Sequence, residues 1–182
     1  MTIICALHEP GVGTWIGSDR RRVFSGVPAD WQAKWDILGG AALGISGNGR
    51  AVTVLHRIAP DLLATHADPH AIYDAMRAAL RADGFKPEVK DAYGEYFCAW
   101  AIYARADGGV WGISGNGCIT PVPAGTFWAD GTGDKQAAGA AHAMMKHGAT
   151  PAEMVVRRAI EAGIALDVEC GGEPFVHLLE AR

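Results

Sequence analysis

Apolar and polar positions along the chain fall into alternating blocks of strand-like and helix-like pattern. Residues 2–7, Thr-Ile-Ile-Cys-Ala-Leu, are almost wholly apolar and read as a strand. His8-Glu9-Pro10-Gly11-Val12-Gly13 supplies turn chemistry, and residues 14–19 resume as the second strand of a hairpin ending on an acid, Asp19. Residues 23–28 read as a bend, and residues 31–38 as a strand carrying Lys34 among bulky neighbours. Gly39-Gly40 turns the chain into a small-residue strand over 41–47 that closes on Ser46-Gly47. Two helices follow. The first sets Val52, Leu55, Ile58 and Leu62 on one face, with Pro60 marking a kink or break. The second is capped by Asp68, has Pro69 at its first position and carries the stripe Ile72, Met76, Ala79 and Leu80.

Beyond a polar, loop-like stretch at 84–95, residues 96–104 read as a strand buried on both faces. Asp107-Gly108-Gly109 turns it back through 110–113. A strand near Phe127-Trp128-Ala129 runs into Asp130-Gly131-Thr132-Gly133-Asp134 and opens an alanine-rich helix reaching Gly148. Thr150-Pro151-Ala152-Glu153 has the form of a capping box for a helix to about Leu166, and residues 175–179 form a last strand. Strands, a helix pair, strands, a helix pair and a strand predict an α+β fold with two stacked sheets and helices on both outer faces, a four-layer α-β-β-α sandwich.

Length and charge narrow this picture. At 182 residues, 1–182 is expected to be one domain burying roughly 70% of its unfolded surface. Hydrophobic residues at 49% against 20% charged fit a packed globule, and a net charge of −4 gives no reason to expect nucleic acid or an anionic membrane as partner. The short basic run Arg20-Arg21-Arg22 beside Asp19 reads as part of a site or as surface. No stretch reaches the roughly 18 apolar residues of a membrane span, and no basic leader precedes the first strand, so the expected compartment is cytoplasmic. Cys5, Cys98, Cys118 and Cys170 form no C-x-x-C pair, and the seven histidines lack metal-ligand spacing, so no metal or cofactor is expected.

Candidate chemistry starts at Thr2. A Met-Thr start is one that an aminopeptidase trims, and removal of Met1 leaves a threonine with both a hydroxyl and its own α-amine, a nucleophile and base in one residue. The order of residues after it resembles the proteasome β-subunit and HslV-type peptidase superfamily, the threonine branch of the N-terminal-nucleophile (Ntn) hydrolases. Ile16-Gly17-Ser18-Asp19-Arg20-Arg21 stands where those subunits carry an Asp after the second strand. Lys34 followed by Trp35 matches their essential lysine, and Gly47 closing Leu43-Gly44-Ile45-Ser46-Gly47 matches their oxyanion-hole glycine. Gly131-Thr132-Gly133 stands where the family has a Ser between glycines, and Asp167-Val168-Glu169-Cys170-Gly171-Gly172 where it has Asp, two residues, Ser and Gly-Gly. Thr132 and Cys170 thus replace serines, Arg22 replaces a small residue, and the hairpin turn is longer by about one residue.

The resemblance implies a threonine-type peptidase acting on peptides or unfolded protein, in a homo-oligomeric ring that encloses its sites, with an ATPase unfoldase as a candidate partner and without cofactor. Physical chemistry assigns the same roles. An α-amine titrates near about 7.7–8.0 and supplies free base near neutrality, whereas lysine at about 10.4 stays cationic. The Thr2 amine is then the base, Lys34 a fixed charge favouring the alkoxide, Asp19 its partner, and the Gly47 N–H the oxyanion donor. Thr132, Asp167 and Cys170 complete the implied site. Taken singly, Asp19 also reads as a turn carboxylate, Lys34 as a snorkelling strand residue and Gly47 as backbone punctuation. A catalytically silent ring subunit and a small-amide amidohydrolase of the same fold remain the alternatives.

Overall fold

The computed structural model describes residues 2–24, 27–30, 34–65, 67–89, 95–148 and 150–181. Met1, the middle of the expected bend at 25–26, the start of the expected 31–38 strand and part of the 84–95 stretch lie outside the described residues.

The strands are β1 (Ile4–Glu9), β2 (Gly13–Ser18), β3 (Arg21–Phe24), β4 (Val27–Asp30), β5 (Trp35–Leu38), β6 (Ala41–Gly47), β7 (Glu88–Val89), β8 (Glu95–Tyr96), β9 (Ala99–Arg105), β10 (Val110–Ile113), β11 (Ile119–Pro121), β12 (Phe127–Asp130) and β13 (Phe175–Glu180). Helices α1 (Gly49–Thr65) and α2 (Pro69–Ala82) fall between β6 and β7, and α3 (Asp134–Lys146) and α4 (Ala152–Leu166) between β12 and β13. One antiparallel sheet has the order β12-β1-β2-β13 and the other β11-β10-β9-β6-β5, with β3-β4 and β7-β8 as separate hairpins.

Period-two alternation decides how the layers stack. On β1 and the residue before it, Ile3, Cys5 and Leu7 pack with Val155, Val156 and Ile160 of α4 and Ala137 and Ala141 of α3, while Ile4 and Ala6 turn to the opposite sheet. On β9, Ala101 and Tyr103 pack with α1 and α2, while Ile102 and Ala104 meet Ile4, Ala6 and Ile16 between the sheets. Three apolar layers separated by two sheets make the expected four-layer α-β-β-α sandwich. Because β1 is flanked by β12 and β2 and covered on both faces, the residue just before it is held by the whole core.

Local readings differ at several places. The expected bend at 23–28 is the β3-β4 hairpin, and β11 is an additional strand. Lys34 lies just before β5 instead of inside a strand. Helix α1 runs unbroken through Pro60, whose missing N–H costs one bond on an exposed turn while Leu55, Ala59 and Leu62 stay buried on the other face. The capping box at Thr150 does not form: Pro151 is itself the N-cap of α4 and no side chain caps it. Asp68 does cap α2, accepting from the His70 and Ala71 N–H groups.

Two glycines let α3 and α4 close over Ile3. A methyl at Gly163 would come 2.2 Å from Ile3 Cδ1 and 3.3 Å from the Gly133 carbonyl. Gly163→Ala gains about 1 kcal/mol of helix propensity but overpacks a site with little room to yield, so a net loss of about 1–3 kcal/mol is expected. Thermal unfolding checks this, and an unchanged or raised Tm would mean that Ile3 gives way freely.

Candidate active site

The chain brings four segments onto one buried carboxylate. Asp19 sits immediately after β2 and is 0% exposed. Its Oδ1 accepts from Lys34 Nζ at 2.5 Å and from the Ile3 N–H at 2.7 Å. Its Oδ2 accepts from the Arg21 and Gly171 N–H groups, each at 3.2 Å. Backbone bonds brace the same junction: the Asp19 N–H donates to the Ile3 carbonyl, and the Arg20 and Arg21 N–H groups both donate to the Gly171 carbonyl. Since Lys34 Nζ and the Ile3 N–H share one oxygen, the ammonium lies beside the peptide that joins Thr2 to Ile3.

Lys34 is 1% exposed. Its N–H donates to Ser18 Oγ at 3.3 Å, and its carbonyl accepts from Ile45 N–H at 3.2 Å, which fixes its backbone between the sheets. Burial pulls its pKa below that of a free lysine, the Asp19 carboxylate opposes this, and the Arg22 guanidinium adds a smaller downward push. A buried cation survives only with such a partner.

Thr2 is 5% exposed and rests on the turn between β12 and α3. Its N–H donates to Thr132 Oγ1 at 3.4 Å, and its carbonyl faces the Gly133 N–H at 3.5 Å. Gly131 has φ 111°, and a Cβ there would stand 2.0 Å from the Thr2 carbonyl oxygen, so only glycine fits under Thr2. Thr132 Oγ1 lies 3.8 Å from Cys170 Sγ, linking Thr2 to the loop after α4. Burial, then the nearby Asp19 charge, pushes the Cys170 thiol up to about 12, so it is a neutral, weakly bonding group at physiological pH. Asp167 is the C-cap residue of α4. Its carboxylate accepts from Glu169 N–H at 2.9 Å and its carbonyl from Cys170 N–H at 3.0 Å, so it shapes the loop carrying Cys170.

Gly47 closes β6 with φ 124°, and a Cβ there would come 2.3 Å from the Cys98 carbonyl oxygen. It lines a cavity of about 450 Å³ together with Thr2, Ser46, Trp100, Asp130 and Thr132. Asp130, at the end of β12, accepts from Ser46 Oγ at 3.0 Å, a bond that ties one sheet to the other at the open end of the sandwich. Burial raises the Asp130 carboxyl to about 6, against bonds from Ser46 and the Gly131 N–H, and the like charge of Asp134 adds to the rise.

All seven residues singled out from sequence therefore lie around Thr2 or on the loops that support it. Sequence reasoning passed over Gly171, Ser46 and Asp130. Gly171 carried a signal, the Gly171-Gly172 pair: a Cβ there would stand 2.2 Å from Arg21 Cζ, whose guanidinium reaches the Cys170 carbonyl at 3.1 Å. Arg21 thus belongs to the site's scaffold. Among the described residues, no group of three or more His, Cys, Asp or Glu side chains is placed to hold a metal.

The Asp130 shift has a stability consequence. Its folded pKa of about 6 exceeds the unfolded value, so the native state binds the extra proton and stability falls as pH rises through the interval between them. Asp130→Asn removes that penalty, and the Ser46 hydroxyl can turn to suit the amide. The variant is expected to be more stable than wild type by about 3 kcal/mol at pH 8, with the gain vanishing near pH 4. Urea unfolding at both pH values measures it, and an equal difference at the two would refute the assignment.

No protein-family model and no curated protein sequence matches the chain. Solved structures do. BPH from Thiobacillus denitrificans in complex with epoxomicin superposes with a TM-score of 0.75 at 18% identity, covering 98% of this chain and 100% of that one. Eukaryotic HslV from Trypanosoma brucei gives 0.74 at 17% identity, covering 98% and 99%. An Anbu Gly-1 mutant from Hyphomicrobium sp. strain MC1 gives 0.71 at 15% identity, covering 99% and 83%. With its two antiparallel sheets between two helix pairs and Thr2 leading into the central β1, the chain has the proteasome-like Ntn-hydrolase fold of HslV and BPH.

Proposed function

We propose that this chain is a threonine-type peptidase subunit that acts, once Met1 is removed, through acyl transfer on Thr2. The observation that supports this most is the buried Lys34–Asp19 pair, whose shared Oδ1 also holds the Ile3 N–H and so fixes a positive charge beside Thr2. In the reaction, the Thr2 α-amine takes the Oγ1 proton as Oγ1 attacks the carbonyl carbon of the scissile amide. The Gly47 N–H stabilises the resulting oxyanion, a contribution of about 2.7–4 kcal/mol for one such donor. The protonated amine passes its proton to the leaving nitrogen, the C–N bond breaks, and an ester on Thr2 remains. Water, deprotonated by the same amine, attacks that ester and restores Oγ1–H.

Lys34 stays charged throughout and lowers the cost of the Thr2 alkoxide. Thr132 and Cys170 position the amine, with the Cys170 thiol as a weak support where the related pattern has a serine. A homo-oligomer enclosing the sites fits this reading. One neighbour is a helical assembly of the Anbu complex from Pseudomonas aeruginosa, and Leu166 and Val168 of this chain are 71% and 90% exposed beside the site loop. An ATPase unfoldase is the partner such an enclosed site would call for.

Intact mass before and after incubation with epoxomicin, the compound bound in the BPH neighbour, tests the reading directly. The expected outcome is protein lacking Met1 that gains one epoxomicin mass, with Thr2→Ala gaining none and losing peptide hydrolysis at least about a thousandfold while its Tm stays close to wild type. Quantitative retention of Met1 in the native host, with no hydrolysis of fluorogenic peptides, would overturn it.

Lys34→Met cannot be read from activity alone, because it strands a fully buried carboxylate. It is expected to cost about 3–5 kcal/mol of stability, in contrast to the tolerance expected of a snorkelling strand lysine. Adding Asp19→Asn should recover part of that loss by removing the charge, since an amide accepts on one side only, and should recover no turnover. Denaturant unfolding and peptide hydrolysis on the single and double variants decide this. Recovered turnover in the double variant would show that the pair is structural.

A further inference from the structure

The mechanism leaves the acidic side chains of the cavity beside Thr2 unused. The cavity of about 450 Å³ that opens on Thr2 and Gly47 extends past Ser46 to Asp130, Asp134 and Trp100. That volume accepts a large side chain. Its charged lining is acidic only: Asp130 and Asp134 face it, and no lysine or arginine does among the described residues. Asp134 lies in the first turn of α3, where its own charge offsets the positive end of the helix and leaves Asp130 without that help.

Asp130 is held in place by its neighbours. Ser46 Oγ fixes its Oδ1 from the opposite sheet, the Gly131 N–H bonds to the same carboxylate, and the charge acting on it among the described residues is the like charge of Asp134. A half-buried carboxylate lining a partly open cavity, oriented by two neutral donors and, among the described residues, paired with no cation, is complementary to an incoming cation. Trp100 supplies the remaining wall. Its ring meets Tyr96 edge-on at 5.5 Å, which holds the indole in place to line an aliphatic stem or face an ammonium or guanidinium group.

We propose that Asp130 is a specificity-determining residue of this site, binding a cationic side chain, lysine or arginine, next to the scissile bond of the substrate. The inference rests on the peptidase reading and adds a substrate class to it. Burial that lifts the Asp130 carboxyl to about 6 is consistent with it, since the charge is carried at neutral pH at a cost that a bound cation relieves.

The test uses the mature full-length protein and internally quenched peptides carrying Lys, norleucine or Glu at one position flanking the scissile bond. One set varies the acyl side and another the leaving side. The readout is the ratio of kcat/KM for Lys over norleucine within each variant, so that any general change in turnover cancels. Wild type is expected to favour Lys at least tenfold on one of the two sides, which also identifies the side the cavity serves. Asp130→Asn should bring that ratio close to one, and Asp130→Lys should turn the preference toward Glu. Hydrolysis of all three peptides without preference, or a preference that both variants retain, overturns this inference and leaves the peptidase reading standing. Hydrolysis of no peptide by protein whose mass proves a free Thr2 overturns both.

Discussion

Everything near Thr2 depends on a charge taken out of water. Asp19 is fully buried, and a carboxylate in that position is tolerated only because four donors converge on it. Those donors come from the first residues, the start of β3, the segment before β5 and the loop after α4. The carboxylate therefore acts as a joint: displacing any one of the four segments leaves part of a buried charge unsatisfied. The same joint sets the direction of the Lys34 side chain, which its aliphatic length alone would leave free to follow any apolar groove. Precision at Thr2 is in this sense a by-product of electrostatic necessity one residue downstream.

Glycine supplies the second constraint. Around the site the backbone passes closer to its neighbours than any Cβ allows, at Gly131 beneath Thr2, at Gly47 against Cys98 and at Gly171 against Arg21. Close approach of main chain lets short turns present N–H groups and hydroxyls into a small volume, where bulkier residues would have filled the space. The surrounding helices provide the opposite quality, a densely packed apolar support that resists movement.

The sequence disclosed those parts of the site that sit at the ends of patterned segments. Thr2 heads an apolar strand, Asp19 ends a hairpin, Gly47 closes a run of small residues, and Thr132 stands between glycines at a helix mouth, so order along the chain sufficed. Asp130 was named in passing as part of a turn, because its significance lies in the Ser46 contact, a pairing of residues 84 positions apart on different sheets that leaves no periodic trace. Gly171 was hidden for the same reason, 152 positions from the carboxylate it serves. Pro60 and Thr150 misled in the other direction. Local propensity predicted a break and a cap, and packing of Leu55, Ala59 and Leu62 on one side and the geometry of Pro151 on the other decided differently.

The position of β1 carries one more consequence. It is an interior strand whose partners, β2 and β12, come from opposite halves of the chain, and Asp19 beside it takes a hydrogen bond from Gly171 near the last strand. Contacts of such long sequence separation form late, after the entropy of closing nearly the whole chain has been met. A nascent polypeptide still emerging during synthesis therefore holds Thr2 with no ordered surroundings, and the buried carboxylate beside it gains its fourth donor only when Gly171 arrives. On the reading proposed for Thr2, the order of synthesis would keep its hydroxyl without its partners until β13 has folded against β2.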